Sequence, residues 1–257
     1  FLLFVILYVC LHLPLSAFIL HHGLQHWKKP SHCDCFTYHL AGMELVGITG
    51  YILACFAIYM DDALQVLRSG TLLYCVTWFG EMCFHILTCA ERYLAVVHPI
   101  MYLKLRSRRW IRTRNVVAAV VWVLCLFWVI LVLLRLFVHL NLCLVILSLV
   151  VVSFCNLSVL GALMHPGPGE QDGGRERADQ SKQRAFYTIL AILGTLVLRF
   201  AWGLFWTVVY LSEGDTDCVT MTIDVWFNLP SSLVLPLLFV HRKGRFLFWK
   251  KVSHQLE

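Results

Sequence analysis

Glu44, Glu81 and Arg199 are ionisable residues set inside long apolar runs, and Glu91-Arg92-Tyr93 places opposite charges side by side where another apolar run gives out. Taken out of water, such groups must pair, bind a counter-ion or lose their charge, because an isolated buried ion is costly. The chemistry these residue types suit is ion pairing, cation binding or proton movement. No nucleophile–base pair and no His-rich metal motif lies in the apolar runs, so an enzyme is not expected. "HCDC" at 32–35 has metal-type residues, but the spacing is too tight for four ligands from one centre. Lipid attachment at Cys33 or Cys35 fits that stretch better, and no modification fits better still.

The elements that position these charges follow from composition. The chain has 257 residues, 60% hydrophobic and 14% charged, with a mean hydropathy of +0.74. Soluble domains carry about 25% charged residues, so this surplus of apolar surface has to face something other than water. Runs of about 20 apolar residues, enough to cross the hydrocarbon of a bilayer, recur along nearly the whole chain. One integral membrane domain is expected, all-α because backbone groups in lipid must be satisfied within each segment. The chain begins at Phe1 without an initiator Met, which leaves a preceding segment, signal peptide or glycosylated tail open. "FLLFVILYVCLHLPLSAFIL" lacks a basic start and is long for a signal core, so it reads as a first spanning helix.

Apolar runs between polar breaks place seven spans, at 1–24, 36–59, 67–97, 115–135, 142–164, 185–212 and 219–241. A short amphipathic eighth helix is expected over 242–254, in the basic tail "HRKGRFLFWKKVSHQLE". The boundary between the fourth and fifth spans, "LFVHLN", is the least marked. Most of the 21 basic residues fall in alternate loops, among them Lys104, Arg106, Arg108, Arg109 and Lys182, while the opposite loops are acidic. The positive-inside rule puts that basic side in the cytoplasm and the N-terminus outside. The basic residues after Arg92 are thus a topology signal and a contact for anionic lipid. The net charge of +6 is explained by topology, and no nucleic-acid role follows. Six cysteines, Cys55, Cys75, Cys83, Cys89, Cys125 and Cys155, lie in apolar runs as small packing residues. Cys218 is the clearest candidate for an exposed outer thiol. The sequon at Asn156 falls inside the fifth span, where it is not a glycosylation site.

"ERYLAVVHPIMY", closing the third of seven spans, resembles the rhodopsin-like family of G-protein-coupled receptors, which carries an Asp/Glu-Arg-Tyr triplet there and then a proline, here Pro99. Trp122 in the fourth span, "HLAGMEL" in the second, "KQRAFYTILAIL" at the start of the sixth and "LPLLFVHRKGRF" at the end of the seventh carry the likeness along essentially the whole chain. The phrasing "FTYHLAGMEL" and "DQSKQRAFYTI" is most similar to a fish-expanded subgroup of receptor-like sequences. The resemblance implies a plasma-membrane receptor that takes an extracellular ligand and signals to a heterotrimeric G protein, without a cofactor. It implies that Glu91 restrains Arg92 at rest and that outward movement of the sixth helix frees Arg92. Tyr93, Pro99, the basic second loop and Lys182 then contact the G protein. Pro236 and Phe239 stand as the remnant of the seventh-helix motif. Glu44 occupies the family's acid position, which often binds Na⁺, and Arg199 is a candidate to replace that ion by bridging to Glu81 or Glu44. The competing reading is a carboxyl protonated by burial.

Departures cluster at working parts. The outer disulfide is missing, since Leu67 stands at its usual third-helix position. Ser148 and Trp202 replace the central prolines of helices five and six, Asn156 replaces a tyrosine, and Ser16 replaces an asparagine. A proline kink lets a helix swing, so Gly194 or Gly203 is left as the hinge. Trp78, Trp202, Trp206 and Asp224 are candidates for a ligand pocket, against the plainer readings of aromatic packing and a solvated acid. Two further functions stay open: a receptor-fold interaction partner or decayed copy that no longer signals, and a small-solute or proton-linked transporter.

Overall fold

A computed structural model describes residues 2–25, 35–60, 64–104, 108–134, 136–164, 175–213, 226–234 and 236–240. Every regular element among them is helical: α1 (Leu2–Gln25), α2 (Cys35–Tyr59), α3 (Leu64–Val97), α4 (Pro99–Lys104), α5 (Arg108–Leu133), α6 (Phe137–Met164) and α7 (Arg175–Glu213). A shorter apolar helix, α8 (Trp226–Val240), follows, with Leu235 outside the described residues. Six helices are long and apolar enough to cross a membrane: α1, α2, α3, α5, α6 and α7. The chain is therefore an all-helical bundle of membrane type. The basic tail expected to form an amphipathic helix, and the acidic segment with Cys218 expected in an outer loop, lie outside the described residues.

The bounds of α1, α2 and α3 follow the apolar runs within a few residues, while α5 begins at Arg108, seven residues before its run, and α6 at Phe137, five before; two further differences stand out. The loop after the third span contains a helical turn, α4, which the hydropathy pattern does not mark. Pro99 opens it, as suits a residue whose fixed φ is helical and whose missing N–H is not needed at a first position, and Tyr102 N–H donates to the His98 carbonyl at 2.9 Å. The sixth span is also longer than its apolar run. α7 begins at Arg175, and its membrane-like window, Phe186–Val209, starts three turns later. Charged residues propagate that helix because a formed helix extends readily through good helix formers.

Large apolar side chains are exposed along whole helix faces: Leu3 and Ile6 on α1, Val123, Leu126 and Phe127 on α5, Leu147, Val150 and Phe154 on α6. Such continuous apolar surface suits hydrocarbon rather than water.

Inside, α3 is the central element and packs against α2, α5 and α6. Its contact with α2 is the most extensive in the bundle, and glycine makes it possible. A Cβ on Gly70 would sit 2.8 Å from the Ala54 amide nitrogen and 2.9 Å from the Gly50 carbonyl oxygen. Only a bare α-carbon permits the two backbones to meet there. Aromatic rings hold the other side: Phe79 stacks on Trp128 of α5 at 4.5 Å between centroids. Trp122 donates from Nε1 to His39 Nδ1 at 3.3 Å, and His39 stacks on Phe84. The fourth-span tryptophan thus ties α5 to α2 through a histidine. α7 packs its backbone on α6 and reaches α3 through a long side chain.

Candidate functional site

The buried charges meet in one network. Arg199 of α7 donates from Nη2 to Glu81 Oε2 of α3 at 2.6 Å, and its Nη1 lies 3.4 Å from Ser231 Oγ of α8. Arg199 is 2% exposed and Glu81 4%. Beside this pair, Tyr8 of α1 donates its hydroxyl to Glu44 Oε2 of α2 at 2.6 Å. His12 Nδ1 lies 3.1 Å from the same oxygen, and its Nε2 is 3.2 Å from Ser232 Oγ of α8. The adjacent serines Ser231 and Ser232 therefore join two clusters. Five helices, α1, α2, α3, α7 and α8, contribute.

Local sequence explains the arrangement. Tyr8 and His12 are one helical turn apart and so share a face of α1; their rings stack at 4.2 Å, and both are buried. Glu81 and His85 share a face of α3 by the same spacing. His85 is fully buried, and neither ring nitrogen has a hydrogen-bond partner among the described residues. Ser231 and Ser232 return their hydroxyls to the Asn228 carbonyl at 2.8 and 3.2 Å, as serines in apolar helices do.

Of the two bridges open to Arg199, the geometry has the one to Glu81. Glu44 is met instead by Tyr8 and His12, which sequence reasoning did not single out. Their signal was present: a tyrosine and a histidine at i, i+4 inside an otherwise oily helix make a polar stripe with nothing in lipid to face. The donor set does not suit a sodium ion. One oxygen of each carboxylate is occupied by a protein donor, and the Arg199 guanidinium bound to Glu81 would repel a metal.

At the other end of α3, Glu91 is 7% exposed and its Oε1 lies 3.7 Å from Arg114 Nη1 of α5. Arg92 is half-buried on the next position. Tyr93 packs against Phe154 of α6, and its hydroxyl lies 3.3 Å from His98 Nε2. Glu81 and Arg92 are eleven residues apart, about 16 Å along the helix, so α3 carries the buried pair in its middle and the charged triplet at its end. Pro99 is exposed at the start of α4. Lys104 ends α4, Arg108 and Arg109 open α5, and Lys182 lies early in α7; Arg106 falls outside the described residues.

The seventh-span remnant is inside the bundle. Pro236 is buried, and Phe239 packs edge-on against His22 of α1 and Tyr38 of α2 at 5.6 and 5.9 Å. Asn156 is buried too, donating to the Val152 carbonyl at 2.8 Å and reaching Cys89 Sγ of α3 at 3.5 Å. Of the pocket candidates, Trp202 stacks on Phe227 of α8 at 4.0 Å and stands edge-on to Trp206 at 6.1 Å. Trp78 borders the α7 backbone, where a Cβ on Gly203 would be 3.4 Å from its Cζ2. The indole N–H groups of Trp202 and Trp206 and the side-chain amide nitrogen of Asn228 are buried with no acceptor among the described residues. These aromatic residues gather where α3, α7 and α8 meet, on the side of Arg199 away from Arg92. Asp224 lies outside the described residues.

No protein-family model matches this chain, and no curated protein matches it.

Proposed function

We propose that the chain is a G-protein-coupled receptor of the rhodopsin-like type, with α1, α2, α3, α5, α6, α7 and α8 as its seven spans, its N-terminus outside and its basic loops in the cytoplasm. The observation that carries this reading is the buried Arg199–Glu81 pair. It joins the helix that would swing, α7, to the helix that ends in Glu91-Arg92-Tyr93. Such a pair has two discrete arrangements, made and broken, and a ligand that favours one of them shifts the population. The unpartnered donors around Trp202, Trp206 and Asn228 are where that ligand would act. Arg92 and Tyr93, with the basic loop after Pro99, are the surface a G protein would meet at the plasma membrane.

The test is ligand-free activation of a panel of Gα subtypes in cells, comparing the chain with Arg92→Ala at matched surface level. Activity lost in Arg92→Ala supports a working switch. Equal signals from both proteins at full surface level, with none above background, favour the second reading: a receptor-fold partner that does not signal. One observation supports that alternative. α7 is unbroken from Arg175 to Glu213, has no proline, and is pinned at its middle by a buried ion pair.

A further inference from the structure

Arg114 belongs to the basic run that follows Arg92, but it differs from its neighbours. Arg112 and Thr113 are exposed on α5, whereas Arg114 is 3% exposed and points into the bundle. A solvated loop charge or a headgroup contact would not be buried in this way. Its Nη1 stands 3.7 Å from Glu91 Oε1, and the same guanidinium lies close to the Cys35 thiol at the start of α2. One cation thus sits where α2, α3 and α5 converge.

Helix geometry sharpens the point. Neighbouring residues leave a helix about 100° apart and do not face each other, so Glu91 and Arg92 occupy different faces of α3. The Glu91 carboxylate is turned toward α5. We propose that Arg114 is the positioning residue of the charged triplet: it holds the Glu91 carboxylate against α5 and so limits how firmly Glu91 can restrain Arg92. This rests on the receptor reading above. The pair is at the long end of ion-pair distances, so the carboxylate is held by Arg114 without being locked to it. Removing Arg114 leaves Glu91 buried without that partner, and the nearest remaining cation on its own helix is Arg92. Resting restraint then tightens.

The experiment measures ligand-free signalling and melting temperature together for Arg114→Gln, Arg114→Lys, Glu91→Gln and the Glu91→Gln/Arg114→Gln double variant, at matched surface level. Arg114→Gln is expected to lower ligand-free signalling about fivefold, the effect of one ordinary ion pair. Arg114→Lys restores most of it, because a cation at that place is what matters. In the Glu91→Gln background, Arg114→Gln adds nothing, since the carboxylate it would release is gone. An unchanged or increased signal from Arg114→Gln overturns the proposal, as does an equal loss with and without Glu91. Additive melting temperatures across the four proteins also overturn it, because the pair would then not exist. A wild type silent without ligand favours the non-signalling reading and overturns a role for Arg114 in ligand-free signalling, which keeps the two failures apart.

Discussion

The guanidinium of Arg199 is bound to the carboxylate of Glu81 at 2.6 Å, with both groups buried and 118 positions apart in sequence. The contact crosses from α7 to α3 at the middle of both helices. Arg199→Leu leaves Glu81 in the interior without its cation, which costs about 3–5 kcal/mol in comparable buried pairs. The expected outcome is a large fall in melting temperature of the purified protein. Arg199→Leu/Glu81→Leu removes both charges and recovers most of that loss. Unchanged stability in the single variant would falsify the pairing.

The second cluster is predicted to hold α1 in place. Tyr8→Phe keeps the ring that stacks on His12 and deletes only the hydroxyl that meets Glu44. Removing one partner of a buried hydrogen bond costs about 1–3 kcal/mol, so Tyr8→Phe should lower the unfolding free energy by about that amount, read as a fall in melting temperature. Tyr51 gives a control. It packs beside Tyr8 at 4.8 Å, and Tyr51→Phe keeps both that ring contact and the Tyr8–Glu44 hydrogen bond, so it should cost less.

Two glycines should respond in opposite ways. Gly70→Ala places a methyl group against the α2 backbone, which cannot move aside as a flexible side chain can, and overpacking of this kind costs about 1–3 kcal/mol. At Gly194, by contrast, an added Cβ meets nothing within 4 Å, and replacing a helical glycine by alanine stabilises by about 1 kcal/mol. Melting curves of the two variants check both signs. If Gly194 is the hinge of α7, Gly194→Ala also lowers agonist-free signalling while it raises stability, a combination that packing alone does not produce.

Sodium should make no difference. Glu44 and Glu81 each have an oxygen occupied by donors from this chain, and the Arg199 guanidinium already meets the Glu81 carboxylate. Melting temperatures in sodium, potassium and choline chloride at one ionic strength are expected to coincide. A rise specific to sodium, lost in Glu44→Gln, would show that the internal donors yield to the metal.

Much of the architecture could be read along the chain, because the physics that sets it is local. A run of some 20 apolar residues has to be a helix in hydrocarbon whatever its neighbours are, and the bounds of α1, α2 and α3 follow their runs within a few residues, while α5 and α6 begin seven and five residues before theirs. Pro99 marks its own turn by its fixed φ, although hydropathy hides it. The charges at Glu44, Glu81, Arg199 and Glu91 were also visible, since an ion in an oily segment is anomalous by itself. Which of them meet was not. A buried carboxylate takes whichever donor the packed helices bring within about 3 Å, and that depends on the rotation of five helices about their axes. So Arg199 reaches Glu81, Glu44 is left to Tyr8 and His12, and Glu91 turns to Arg114, which as sequence was one more basic residue in a basic loop.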